Sequence, residues 1–311
     1  MNWLKKTLDF GQKIKRLLKK RASRKDMEES PWTSCCKGPI LKKDLEDNLW
    51  CCPLCNKHHR IGCIQRFDSF FGKGNYQILK TPISNNEDPL LWHDKVAYSE
   101  KLEAAKKKTK QDCAIMVATG KVNNIEVVVA SSNMAFLGGS VSISEAEALV
   151  YAVQHAIDNN KSFINFCSGG GMRMMTSAIA LNAGMVKTTL AINELKKKKL
   201  PYIVCFCDPV TGGILASYAS TGDITLSEVD ALAGFAGRRV IEGTVKEQLP
   251  ENFQKADHVL SCGFIDAIVH RKDLPKKIGV ILSILLKKQS EVKIEDVDKT
   301  SGDNIENREA S

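Results

Sequence analysis

The sequence predicts an α/β layered core behind a small cysteine-rich module. From residue 113 to about 287, β-branched apolar runs alternate with segments of helical periodicity. Within that stretch a buried strand twice runs into a Gly-Gly turn that opens a helix. SFINFC at 162–167 precedes Ser168–Gly171, and YIVCFC at 202–207 precedes Asp208–Pro209 and Gly212–Gly213. Repeated strand–helix units of this kind indicate a layered α/β core. Residues 31–65, by contrast, concentrate cysteine and carry little apolar content of their own.

The elements follow in order along the 311 residues. Residues 1–30 read as a basic amphipathic helix and a polar linker, with Trp3, Leu4, Leu8 and Phe10 at roughly helical spacing. A frayed terminal helix is expected there, with docking on a partner or a membrane surface as alternatives. The cysteine module spans 31–65. A connecting stretch over 66–112 contains Gly72, Gly74, Pro82 and Pro89, then a charged helical segment ending in KKKTKQ. CAIMVATG and IEVVVASS are strands joined by Asn123–Asn124, a hairpin signal. Ala146, Leu149, Val150, Val153 and Ile157 share one helical face. A long helix is expected from about Met174 to Lys199, and a further helix and strand after Gly213. Residues 288–311 are polar and charged and read as a disordered tail.

Composition narrows the function. Hydrophobic residues make up 43% of the chain, ample for one sizeable core and an appendage. No stretch reaches the eighteen apolar residues of a membrane span, and the basic start lacks a secretory signal's apolar segment, so a cytoplasmic protein is expected. Eleven cysteines, an odd number over a long chain, are expected to be mostly reduced. The formal net charge of +9 arises largely from residues 5–25, Lys106–Lys108 and Lys196–Lys199. Such surfaces attract anions: nucleic acid, anionic lipid or a phosphate-bearing substrate.

Three Gly-Gly pairs stand out as candidate chemistry: Gly138–Gly139, Gly170–Gly171 and Gly212–Gly213. Glycine at a strand–helix junction lets a ligand approach the backbone, and free N–H groups there can hold an oxyanion. Tight turn geometry is the other reading of each pair. None matches a dinucleotide fingerprint or a phosphate-binding loop. No nucleophile elbow or metalloprotease helix occurs, and His93, His155 and His258 are isolated. Backbone donors without an obvious side-chain base suggest enolate-type chemistry.

The string DPVTGGILASYASTGDITLSEVDALAGFAGRRVIEGTVKEQLPENFQ at 208–254 resembles the carboxyltransferase β subunit family of bacterial-type acetyl-CoA carboxylases. So do NMAFLGGS at 133–140, Gly170–Met174, GFIDAIVHR at 263–271 and, upstream and in order, PWTSC, DLEDNLW, CPLCNKHHRI and DPLLWHDKVAYSEKL. The resemblance covers about residues 30–287. It implies a crotonase-like (ClpP/crotonase) spiral of ββα units with an N-terminal zinc-ribbon-like module. It implies transfer of CO2 from carboxybiotin, on a biotin carboxyl carrier protein, to acetyl-CoA, giving malonyl-CoA in fatty acid biosynthesis. Gly170, Gly171 and Met172 would stand near one oxyanion, with Gly138, Gly139 and Arg173 assisting at the substrate, and Gly212 and Gly213 near another. The site would lie between this subunit and a homologous α subunit in an α2β2 assembly that works with biotin carboxylase. ATP binding is implied for the family. Alternatives are a β-type subunit acting on another acyl-CoA, or a nucleic-acid-binding role of the module.

A zinc ribbon takes four soft ligands, usually from two CxxC knuckles. Cys52-Pro-Leu-Cys55 is one knuckle, and fifteen residues separate Cys36 from Cys52, as in the family. Cys35 and Cys36 are adjacent, without the usual spacer. The expected zinc ligands are Cys35, Cys36, Cys52 and Cys55, with Cys51, Cys63, His58 or His59 as substitutes. The first glycine turn also departs from the family's SGGARMQE, reading GGGMRMMT, and SVSISEAEA lacks two expected glycines.

Overall fold

A computed structural model describes residues 31–35, 38–246 and 248–287. The expected N-terminal helix, Cys36 and the expected C-terminal tail lie outside the described residues. The chain forms two compact units. One contains residues 31–48 with Cys52–Asn56, and the other contains Leu49–Cys51 with the residues from Lys57 onward.

In the smaller unit, β1 (Trp32–Cys35) pairs antiparallel with β2 (Gly38–Leu41), Thr33 facing Ile40, and α1 (Lys42–Asp47) follows. Ile40, Leu45 and Cys52 are its buried apolar residues. So small a core cannot fold on hydrophobic burial alone and needs a staple.

The larger unit contains β3 (Tyr76–Leu79), β4 (Ile115–Val122), β5 (Ile125–Ser132), β6 (Ser162–Gly169), β7 (Tyr202–Thr211), β8 (Ile224–Ser227), β9 (Ala233–Gly234) and β10 (Ala267–Ile268). They form one sheet of order β10-β8-β7-β6-β5-β4-β3, with β9 on β7. The β3–β4–β5 stretch is antiparallel and the strands from β5 to β10 are parallel. Its helices are α2 (Cys63–Phe71), α3 (Tyr98–Thr109), α4 (Ile143–Asp158), α5 (Ser177–Leu181), α6 (Thr188–Lys197), α7 (Arg238–Val245), α8 (Ala256–Ser261) and α9 (Leu274–Leu285).

Asn123 and Asn124 turn the β4–β5 hairpin with φ of 48° and 58°. Asparagine tolerates this left-handed pair, whose twist matches the strands it joins. Helices cover both faces of the sheet, so its central strands are buried throughout and read as unbroken apolar runs. On one face Val128, Ala130, Phe163, Val204 and Phe206 pack with α4 and α6. On the other, Val127, Val129, Ile164, Ile203 and Cys205 pack with Phe67 and Phe70 of α2 and Ile278 and Leu282 of α9. The alternation is the strand's period of two. The Cys63 thiol at the start of α2 donates to the Ser131 carbonyl at 3.0 Å, which places it in this core.

The two helices expected after the glycine turns differ from expectation. The first begins at Ser177, after a 3-10 turn over Met174–Thr176, and a π-helical turn over Asn182–Lys187 joins α5 to α6. After Gly212 one helical turn forms, closed by the Ala216 N–H on the Gly212 carbonyl at 3.0 Å, and a 3-10 turn over Tyr218–Ser220 follows instead of a continuous helix. Ser217 then leaves helical geometry (φ −134°, ψ −114°) while its hydroxyl bonds back to the Gly213 carbonyl at 2.6 Å. A serine that satisfies the backbone locally competes with helix propagation.

Behind the parallel strands, buried Glu228 accepts from Arg66 of α2 at 2.6 and 3.2 Å and from Arg271 at 2.7 and 2.8 Å. Burial alone would raise the Glu228 pKa, but the two guanidiniums outweigh it and hold the carboxyl well below its usual range. Arg271 also donates to the carbonyls of Leu49, Trp50 and His59 at 3.0–3.3 Å, binding those segments to the unit.

Candidate active site

The carboxyl end of β6 carries the chain into Gly169, Gly170 and Gly171, and the fold brings the other two glycine pairs against this turn. Gly139 (φ +64°) lies so close that a Cβ there would meet the Ser168 carbonyl oxygen at 2.8 Å and Gly169 Cα at 3.0 Å. Gly170 donates its N–H to the Gly138 carbonyl at 3.0 Å. On the far side, a Cβ on Gly171 (φ +108°) would lie 3.4 Å from the Gly213 nitrogen and 3.5 Å from Gly212 Cα. Three stretches some 30 to 40 residues apart in sequence thus meet backbone to backbone. The Gly139–Gly169 approach leaves no room for a Cβ on either residue, and the Gly171 φ of +108° is one that glycine adopts readily.

The hydrogen-bond accounting separates donors from scaffolding. Gly170 is bonded to Gly138, Gly139 to Phe136 at 2.8 Å, and Gly212 to Phe235 at 3.0 Å. Among the described residues, the N–H groups of Gly171, Met172, Gly213 and Ile214 have no acceptor. Backbone donors left without partners are rare in folded proteins, and two adjacent pairs of them are suited to holding developing negative charge. These donors belong to the turns themselves. The first helix starts only at Ser177, beyond the reach of its dipole.

Met172 occupies the position where the family motif has a small residue. Its side chain turns inward: a Cβ on Gly184 would meet Met172 Sδ at 2.5 Å, and one on Gly213 would meet Met172 Cγ at 2.7 Å. Glycines at 184 and 213 make the room for it, and Gly184 lies in the π-helical turn. Such turns are frequent at functional sites.

Arg173, expected at the substrate, is buried among protein partners. It is 2% exposed and donates to Glu145 at 2.7 Å, the Tyr98 hydroxyl at 2.9 Å, the Ser140 carbonyl at 2.6 Å and the Ser140 hydroxyl at 3.1 Å. Burial would lower its pKa, but Glu145 and Tyr98 more than offset this and keep it charged. Its N–H also donates to the Val141 carbonyl at 2.8 Å, and the Val141 N–H to the Gly171 carbonyl at 3.0 Å. Arg173 is therefore a clamp on the back of the turn. Glu145 and Tyr98 were not singled out from sequence. The Ser142-x-x-Glu145 spacing is a capping signature that could have marked Glu145, whose carboxylate accepts the Ser142 N–H at 2.9 Å. Thr176, in place of the family's acidic residue, bonds the Ser142 hydroxyl at 2.8 Å.

In the smaller unit, Cys35, Cys52 and Cys55 converge, their sulfurs within 4.8 Å of one another and those of Cys35 and Cys55 3.4 Å apart. Sulfurs on a tetrahedral zinc stand about 3.8 Å apart, from Zn–S bonds of about 2.3 Å, so the three thiols fit that ion. Of the named substitutes, Cys63 is committed to the core, and Cys51 and His58 group instead with His270 in the larger unit.

Residues 88–304 match the family model described as the carboxyl transferase domain. The chain is 58% identical over 292 residues to the acetyl-coenzyme A carboxylase carboxyl transferase subunit beta of Pelagibacter ubique (strain HTCC1062), covering 94% of each chain. It is 41% identical over 266 residues to the protein of the same name in Caulobacter vibrioides, covering 85% of this chain and 86% of that one. Among solved structures, it is similar to a Pseudomonas malonate decarboxylase heterodimer, with a TM-score of 0.53, 18% identity, and 78% and 95% of the two chains covered. It also resembles transcarboxylase 12S, with a TM-score of 0.57, 17% identity, and 72% and 41% covered. These structures share the crotonase-like carboxyltransferase fold. Among the described residues no helix is long and apolar enough to cross a membrane. The chain belongs to the carboxyl transferase family and, within it, to the acetyl-CoA carboxylase carboxyl transferase beta subunits.

Proposed function

We propose that this subunit supplies half of an active site in which the carboxyl group of carboxybiotin passes to acetyl-CoA, giving malonyl-CoA for fatty acid synthesis. The observation that carries the reading is the meeting of three glycine turns with two adjacent pairs of unengaged N–H groups. Carboxybiotin, delivered on a carrier protein, supplies the carboxyl group. The N–H groups of Gly171 and Met172 hold one oxyanion, and those of Gly213 and Ile214 hold the other. The two oxyanions are the thioester oxygen of the acetyl-CoA enolate and the ureido oxygen of biotin. Gly138, Gly139, Gly170 and Gly212 shape the turns that aim these donors. Because the donors are fixed by the fold, they need no reorganisation as charge develops.

A companion α subunit completes the site. Leu181, Val186 and Leu190 along α5–α6, together with Phe235 and Val240, expose large apolar side chains of the kind that subunit interfaces cover. Cys35, Cys52 and Cys55, with Cys36 as the fourth ligand, hold one zinc ion whose role is to fold the small unit.

The test is malonyl-CoA decarboxylation with a biotin derivative, run with the chain alone and with its α subunit. Activity is expected only in the mixture. A chain equally active alone would refute the half-site reading, and an inactive but stable complex would refute acetyl-CoA as the substrate. A panel of longer acyl-CoAs then identifies the alternative.

A further inference from the structure

Cys51, His58 and His270 lie in the larger unit, apart from the glycine turns and from the Cys35–Cys52–Cys55 group. One ligand atom from each converges, all within 4.8 Å of one another. Cys51 and His58 face each other across an isolated antiparallel bridge, and His270 follows β10. The two imidazoles meet edge to face with centroids 4.6 Å apart. His58 is 8% exposed, yet neither of its ring nitrogens has a hydrogen-bond partner. Glu228 Oε1 is 3.7 Å from His58 Nδ1, too far for a hydrogen bond, and both its oxygens already accept from Arg66 and Arg271. A buried imidazole with two unpartnered nitrogens is costly, and a bound ion is one of the few explanations.

We propose that Cys51, His58 and His270 form a second metal site, for zinc. One thiolate and two imidazoles suit zinc and disfavour magnesium or calcium, which take oxygen ligands. His270 Nδ1 accepts the Lys272 N–H at 3.3 Å, which orients the ring and leaves Nε2 to ligate. His58 presents Nδ1 toward Glu228, and Nε2 ligates. Binding releases the Cys51 thiol proton to solvent, and water completes the coordination. The ion ties the segments carrying Cys51 and His58 to the loop at His270, reinforcing the bonds that Arg271 makes to Leu49, Trp50 and His59.

The test measures zinc per chain by elemental analysis in the full-length protein, its Cys55→Ser variant and its His270→Asn variant. His270 is half-buried, so asparagine there tests the ligand with little risk to folding, and circular dichroism checks each variant. The full-length protein is expected to hold two ions, and His270→Asn and Cys55→Ser one each. Cobalt bound to Cys55→Ser should show a thiolate charge-transfer band that the added His270→Asn change abolishes. A single ion lost in His270→Asn and kept in Cys55→Ser would also support the site, while refuting zinc in the small unit. Zinc content unchanged by His270→Asn, a full-length protein that holds a single ion which both variants lose, or no zinc in any folded sample would overturn it.

Discussion

Replacing Glu145 by Gln tests whether the first glycine turn is held from behind by a buried charge. Glu145 is fully buried, and its carboxylate accepts from Arg173 at 2.7 Å, from the Ala114 N–H at 3.0 Å and from the Ser142 N–H at 2.9 Å. Glutamine preserves the size and one acceptor but removes the negative charge, leaving the Arg173 guanidinium buried without a carboxylate on it. Removing one member of a buried pair costs about 3–5 kcal/mol, mostly from stranding the other charge. Arg173 is bonded to Ser140 and Val141, and Val141 in turn bonds Gly171, so the N–H groups of the turn should lose their alignment as well. Urea denaturation at pH 8, read by fluorescence and circular dichroism, should show a loss within that range. Carboxyl transfer by the assembled enzyme should fall in kcat more than it rises in KM. A loss below about 1 kcal/mol with unchanged kcat would refute the clamp, since an unpaired buried charge cannot be that cheap.

Gly171→Ala puts a methyl group 3.4 Å from the Gly213 nitrogen at a φ of +108°, and kcat should fall about 10²–10³-fold, the range for losing one oxyanion donor, while the subunits still assemble. Arg173→Lys should weaken the fold by about 1–3 kcal/mol in thermal denaturation, because one ammonium cannot serve Glu145, Tyr98 and Ser140 together. Burial, aided by the Glu145 charge, pushes Glu87 from the ordinary 4.5 up to about 7. A folded-state pKa above the unfolded one means that its linked stability is fully present below about pH 4.5 and is lost as the pH climbs to about 7. Glu87→Gln should flatten the decline in Tm across that window, and an unchanged slope would contradict the shift. Stripping zinc with a chelator, or Cys55→Ser, should unfold the small unit, seen as loss of amide protection over β1 and β2 with the sheet of the larger unit intact.

Much of the fold was legible because one physical rule governs each legible element. The Asn123–Asn124 hairpin follows from the left-handed tolerance of asparagine. The buried strands SFINFC and YIVCFC follow from a parallel sheet covered on both faces. The helix face from Ala146 to Ile157 follows from its 3.6-residue period. The helix expected after Gly213 failed because the Ser217 hydroxyl took the Gly213 carbonyl, a local competition that apolar periodicity does not register.

The sequence by itself determined the family, the layered core, the three glycine pairs and the cysteine clustering, because each is written in residue type and spacing along one segment. Tertiary structure alone decided what those residues do. Which N–H groups of the turns stay unengaged depends on carbonyls contributed by distant stretches: those of Gly170 and Gly212 are taken by Gly138 and Phe235, and those of Gly171, Met172, Gly213 and Ile214 are left without an acceptor among the described residues. Arg173 turned from a presumed substrate contact into a buried clamp because Glu145 and Tyr98, 28 and 75 positions away, surround it. Cys51 parted from Cys52, its neighbour in sequence, to face His58 and His270. Hydrogen bonds and ligand geometries are settled by distance in space, and a linear pattern carries that information only where the partners are close along the chain.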